Sequence, residues 1–240
     1  MIKEFFLDDI PGLGFGLFGP LHAILTLITI VIAVVLHKNR VKLINISSNG
    51  KRKISLILIS LMFINMSIYY LSYIYYGVYD WKTNLPLHFC FISGYLFMYS
   101  ILMKNIKLYK KVYLFAFLGP LPAIVFPDLT SSFDAFIFYQ FIISHHVFLL
   151  SSLFIFYAYD LDIRFKDLLQ SFMLGLSIFF GVFIFNKIFG TNYIMQNKLP
   201  DHILSMFPFL EDISSPIYAL FSSGIVTFII SYLPIYFKNK

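Results

Sequence analysis

Apolar residues in this chain gather into long runs broken by short polar stretches. Seven runs stand out, near Phe18–His37, Lys53–Tyr76, Asn84–Met103, Tyr109–Phe126, Asp134–Tyr157, Asp167–Phe189 and Ser215–Phe237. At a rise of ~1.5 Å per residue, about 20 apolar residues cross a hydrocarbon core about 30 Å thick. In lipid every backbone polar group needs an internal partner, so runs of this length are read as helices. The pattern predicts an all-α, polytopic membrane protein of seven transmembrane helices, forming one domain over residues 1–240. The fourth run is the least regular, because LGPLPAIVFP carries Pro120 and Pro122. Each proline removes a helix donor, which predicts a kink or break there.

The connections set the orientation. HKNRVKLINISSNGKRK, KNIKLYKK, DLDIRFKD and the C-terminal tail carry fourteen of the eighteen Lys and Arg residues. The alternate connections carry only Lys3, Lys82, Lys187 and Lys198. Basic loops stay on the cytoplasmic side, so the N-terminus is expected outside and the C-terminus in the cytoplasm of a cell-membrane protein. MIKEFFLDD lacks the basic start and small-residue cleavage site of a signal peptide, so no processing is expected.

Composition narrows the class. The 240 residues are 59% hydrophobic and 12% charged, with a mean hydropathy of +0.81. Soluble domains carry about 25% charged residues, so this surface does not suit water. The net charge of +6 resides in loops beside apolar runs, which points to lipid headgroups as partners and away from nucleic acid. One cysteine excludes an internal disulfide and multi-cysteine metal sites. No HExxH occurs, and adjacent His145 and His146 do not readily share an ion, so neither metal nor cofactor is expected.

The candidate chemistry collects toward the outside. WKTNLPLHFC (81–90) holds the only tryptophan, the only cysteine and His88 at the mouth of the third run. His22, Asp128, Asn186 and the GTNY segment with Asn192 and Tyr193 fall near the same end, and His145 and His146 lie roughly 15–18 Å into the fifth helix. Intramembrane ionisable groups are functional candidates by default. Each also has a plainer reading. Cys90 serves as a small buried hydrophobe or as a nucleophile needing a nearby base. His145 serves as a structural histidine or as that base, and His146 points about 100° away from it. His88 can reach Cys90 only if Pro86 keeps the helix start irregular. Asp128 caps a turn in PDLTSSFD or orients a histidine. His22 and Asn186 read as pairing or substrate-contact residues, Trp81 as an interfacial anchor, and Gln140, Ser144 and Ser151 as interhelical packing groups. The long connection TNYIMQNKLPDHILSMFPFLEDISSP predicts a short interfacial helix or lid.

WKTNLPLHFC, FPDL (126–129), FYQFIISHH (138–146) and FNKIFGTNY (185–193) follow one another in an order and spacing that resembles the YwaF-type bacterial membrane proteins, related to the eukaryotic transmembrane protein 164 family. The resemblance covers roughly Trp81 to the C-terminus and, more loosely, the first two helices. Leu85, Pro86, Leu87, His88 and Cys90 match an LPLHLC motif, with Phe89 for the usual leucine. Phe126 replaces a frequent threonine, and His145 occupies the fifth-helix histidine position. The resemblance implies a seven-helix scaffold. By analogy with the eukaryotic relatives it also implies acyl transfer among phospholipids and lysophospholipids, with Cys90 as nucleophile. In that reading His145 or His88 moves the proton, Asp128 orients a histidine, and Asn192 or nearby amides face the oxyanion. The alternative is a lipid or small-molecule transporter or binding protein using the same polar cluster for recognition.

Overall fold

The computed structural model describes residues 2–7, 15–16, 18–129, 133–211 and 215–239, which contain helices and no strand. The predicted PDLTSSFD turn falls partly outside them, at 130–132. Among the described residues five helices are long and apolar enough to cross a membrane: α1 (Pro20–Lys38), α2 (Ser48–Tyr75), α5 (Phe136–Ala158), α6 (Phe165–Phe189) and α7 (Pro216–Lys238). Between α2 and α5 lie α3 (Phe89–Leu102) and α4, which consists of Ile106–Val112 and Phe115–Val125 bent by 40°. Taken as one span, α4 is a sixth. The fourteen residues of α3 extend only about 21 Å, short of a full crossing.

α4 breaks at Gly119, beside Pro120 as expected, but its sharp bend lies elsewhere. It falls at Tyr113–Leu114, about two turns before the prolines. Tightened bonds from Ala116 N to Tyr113 O (3.2 Å) and from Phe117 N to Leu114 O (3.0 Å) mark it. Pro120 instead opens a new helical stretch after Gly119, the first-turn position where its missing N–H costs least.

α5 is the central helix. Of its apolar window 78% is buried, against 28% for α2 and 11% for α1. The periphery keeps apolar side chains exposed, as on α1 with Leu27, Ile30 and Val31, which suits contact with lipid. At one end of the bundle basic side chains close helix C-termini: Arg52 donates to Ile101 O and Leu102 O, and Lys238 donates to Leu161 O and pairs with Asp160 at 2.8 Å. Such cations match the negative end of a helix. The opposite end carries the irregular segments: Trp81–His88, the end of α4, and residues 190–211 with short helices at Tyr193–Met195, Asp201–Met206 and Pro208–Leu210.

Candidate functional site

Asp80 opens a four-residue helix, Trp81–Asn84, accepting from Lys82 N at 2.9 Å. Leu85–Leu87 then turn, with Leu87 N donating to Leu85 O at 2.7 Å. His88, at φ −66° and ψ 143°, caps α3. The helix start is therefore irregular, as the proline at position 86 requires, and Cys90 falls in the first turn of α3. Half-buried Cys90 looks into a cavity of about 540 Å³.

Two features hold the Cys90 backbone in place. Gly119 packs so closely that an added Cβ would lie 2.7 Å from Ser93 Oγ and 3.1 Å from Cys90 Cα. On the other side, Tyr193 clamps the approach to α3: its hydroxyl donates to Trp81 O at 2.5 Å and accepts from Leu85 N at 2.9 Å. Its ring stands edge-on to His88, with centroids 5.3 Å apart.

α5 supplies the facing wall. Its helical ladder widens into a π-turn over Ile143–Val147, ISHHV. One inserted residue shifts the positions that share a face, and such bulges occur often at functional sites. Here the two histidines part. His145 joins Ile137, Gln140 and Phe141 on the cavity wall. Its Nδ1 lies 2.9 Å from Phe141 O and 3.1 Å from Ser144 Oγ. A carbonyl only accepts, so Nδ1 carries the proton and Nε2 is the basic nitrogen. His146 instead meets Thr29 Oγ1 of α1 at 2.7 Å. The Thr29 hydroxyl donates to Leu25 O at 2.9 Å, so His146 Nδ1–H donates to it.

The other predicted residues sort into mouth and scaffold. His88 and Asp128 line both the inner cavity and a second one of about 330 Å³ nearer the end of the bundle. The Asp128 carboxylate is close enough to act on the His88 ring. Asn192 and Tyr193 line the mouth cavity beside Lys82 and Lys198. Asn192 is occupied by its own loop, accepting from Asn197 N (2.8 Å) and Lys198 N (3.1 Å) and donating to Lys198 O (2.9 Å). Asn186 is fully engaged: it donates to Tyr193 O and Gln196 Oε1, and accepts from Thr191 Oγ1 and Tyr193 N. His22 accepts from Phe18 N at 3.0 Å and therefore donates to Ile124 O at 2.8 Å, tying α1 to α4. Neither Asn186 nor His22 lines either cavity.

Some cavity residues carry no signal in the sequence. Ile194 and Met195 line the inner cavity with φ of 58° and 57°, a left-handed conformation that a β-branched residue rarely adopts. α6 and α7 each present a stripe to the cavity, Phe172, Gly175, Leu176 and Phe179 facing Leu220, Ser223, Gly224 and Thr227. Both follow i, i+3, i+4, i+7 spacing, but an all-round apolar helix hides which stripe faces inward. Gln140, read from the sequence as an interhelical packing group, accepts through its backbone carbonyl from Asn65 Nδ2 of α2 and also lines the cavity.

No curated protein and no solved structure matches the chain. A family model does, over residues 17–233, a stretch that includes α1 and the cavity walls contributed by α3 to α7. The chain belongs to the TMEM164 family, a family of membrane proteins.

Proposed function

We propose that this protein is a cell-membrane acyltransferase of seven crossings that moves acyl chains between phospholipids and lysophospholipids through Cys90. Its N-terminus lies outside and its C-terminus in the cytoplasm. The third crossing consists of α3 with the Leu85–His88 turn, and the cavity opens toward the outer leaflet.

The observation that supports the reading is that Cys90 and His145, from α3 and α5, line one mostly apolar cavity, with His145 Nδ1 engaged by Phe141 O. Cavities of ~300–1,000 Å³ with few polar groups are the usual form of small-ligand sites. His145 Nε2 takes the Cys90 proton, directly or through one water, and the sulfur attacks the ester carbonyl carbon. The carbonyl electron pair moves to oxygen and returns to break the ester C–O bond. The departing lysolipid alkoxide takes the proton from His145, leaving a thioester on Cys90. A second lysolipid hydroxyl gives its proton to His145 and attacks the thioester carbon. The thiolate leaves and is reprotonated. His88 and Asp128, between the two cavities, sit at the passage from acyl chain to headgroup.

Intact-mass analysis of protein purified from membranes tests this, with Cys90→Ala, Cys90→Ser and His145→Ala beside wild type. The expected result is a fatty-acyl adduct on wild type, released by neutral hydroxylamine and absent from Cys90→Ala. Transfer to labelled lysophospholipid is expected in wild type only. Lipid binding or transport that survives Cys90→Ser, with no adduct after incubation with phospholipids, would sink the acyltransferase reading in favour of recognition without chemistry.

A further inference from the structure

Acyl transfer through Cys90 needs a donor facing the carbonyl oxygen as it becomes an oxyanion. Asn192, the residue the family pattern suggests, lines the mouth cavity and is held by its own loop. Gln140 is differently placed. It is 5% exposed and lines the inner cavity that Cys90 and His145 share. Its main chain is fixed: Ser144 Oγ and Asn65 Nδ2 donate to its backbone carbonyl, at 2.7 and 3.3 Å. Its side-chain amide makes no hydrogen bond within the described residues: Ser144 Oγ and Asn65 Nδ2 donate to the backbone carbonyl instead, and Asn65 Oδ1 stays buried without a partner. Neither Oε1 nor Nε2 is among the buried atoms left without a partner, so the amide opens on the cavity and is not sealed in the apolar wall. Such a group on a fixed backbone, facing a ligand-sized cavity, is suited to a ligand's polar atom.

The π-turn matters here as well. Gln140 and His145 are five residues apart, about 140° around a regular helix. The i to i+5 pattern over Ile143–Val147 offsets much of that angle, and both side chains reach one cavity.

On the acyl-transfer reading above, we infer that Gln140 is a catalytic residue: its side-chain N–H donates to the acyl carbonyl oxygen in the bound ester and more strongly to the oxyanion. Sulfur attack places the electron pair on that oxygen, Gln140 holds it, and collapse to the thioester returns it without transfer of the amide proton. The chemical class recognised is therefore an acyl ester or thioester, a chain ending in a carbonyl.

Two reactions of Cys90 separate this role from a structural one. Acylation by p-nitrophenyl palmitate in phosphatidylcholine nanodiscs passes through an oxyanion. Disulfide exchange with methyl methanethiosulfonate, which forms an S–S bond and releases methanesulfinate, does not. Removing one oxyanion donor costs about 10²–10³ in rate. Gln140→Leu and the near-isosteric Gln140→Met should acylate about 10²-fold or more slower than wild type, followed by intact mass, while both exchange with the thiosulfonate at the wild-type rate. Equal slowing of both reactions would make Gln140 a packing residue and overturn the inference. Unslowed acylation would overturn it as well. A wild-type protein that exchanges but never acylates would overturn the acyl-transfer reading itself, and this inference with it.

Discussion

Replacing Gly119 by alanine should both destabilise the protein and disturb Cys90. Gly119 has φ −79° and ψ −65°, conformations open to any L residue, so the backbone does not demand glycine. Space does. The added carbon would lie 2.7 Å from Ser93 Oγ, 3.1 Å from Cys90 Cα and 3.4 Å from Cys90 N. The serine hydroxyl could rotate, but it already donates to Cys90 O at 3.0 Å. The Cys90 Cα belongs to the first turn of α3 and moves only with it. Overpacking of this kind costs about 1–3 kcal/mol, and the entropy gained by replacing glycine returns roughly 0.5–1 kcal/mol. A net loss of up to about 2.5 kcal/mol is expected, read as a lower Tm in matched micelles. Ser93→Ala in the same chain should recover only part of it, because the Cys90 contact persists, and the shortfall is measurable as a double-mutant cycle. Cys90 should also react with methyl methanethiosulfonate at an altered rate. A Gly119→Ala protein as stable as wild type, with unchanged Cys90 reactivity, would refute the argument that this close approach fixes the thiol.

Other perturbations have distinct readouts. Tyr193→Phe strips the hydroxyl shared by Leu85 N and Trp81 O. It should cost about 1–3 kcal/mol and shift the emission of Trp81, the sole tryptophan. An unchanged spectrum and Tm would mean that the clamp is dispensable. Thr29→Val leaves the buried His146 Nδ1–H without its acceptor, which should cost about 1–3 kcal/mol while sparing Cys90 acylation, because His146 faces away from the cavity. Asn186→Leu removes four hydrogen bonds at once. It should exceed both losses, at about 3 kcal/mol or more, and open residues 190–211 to limited proteolysis.

How much of this was legible in the sequence varies by element. The apolar runs revealed the helices because lipid imposes one rule on every residue of a span. Even so, α3 is shorter than its run, as the Pro86 turn removes Asn84–His88 from it. Pro120 and Pro122 announced irregularity in α4, yet the bend lies at Tyr113–Leu114. A proline can occupy the first turn of a new helix, so it marks a place for a helix to restart, not one where the chain must bend. Among polar residues, the sequence separated His145 from His146 by helical angle, whereas the π-turn was invisible: ISHHV has the composition of any buried helix. Gln140 was equally ambiguous. In a segment apolar on all sides, spacing alone does not tell an interhelical hydrogen bond from a group facing a void.

Four departures from regular helix meet at one place. The Leu85–His88 turn, the Gly119–Pro120 junction, the π-turn of α5 and the left-handed pair Ile194–Met195 come from four distant parts of the chain. Each contributes to the lining of the inner cavity, through His88, Gly119, His145, and Ile194 with Met195. Irregular backbone within a membrane is tolerated where protein or a cavity satisfies it, and strained conformations persist only where the surroundings over-determine them. A bundle selected for stability alone has no reason to gather all four around a void holding a thiol, an imidazole with an open nitrogen and an unpaired amide. The same bundle holds its scaffold polar groups, His22, Thr29 and Asn186, in hydrogen bonds to neighbouring residues. Unpaired polar atoms alone do not mark the cavity, since Thr26 Oγ1, His37 Nδ1, Asn65 Oδ1, Tyr70 OH and Ser151 Oγ are buried without a partner elsewhere in the bundle; what supports the proposed chemistry is that Cys90, His145 and Gln140 line one cavity.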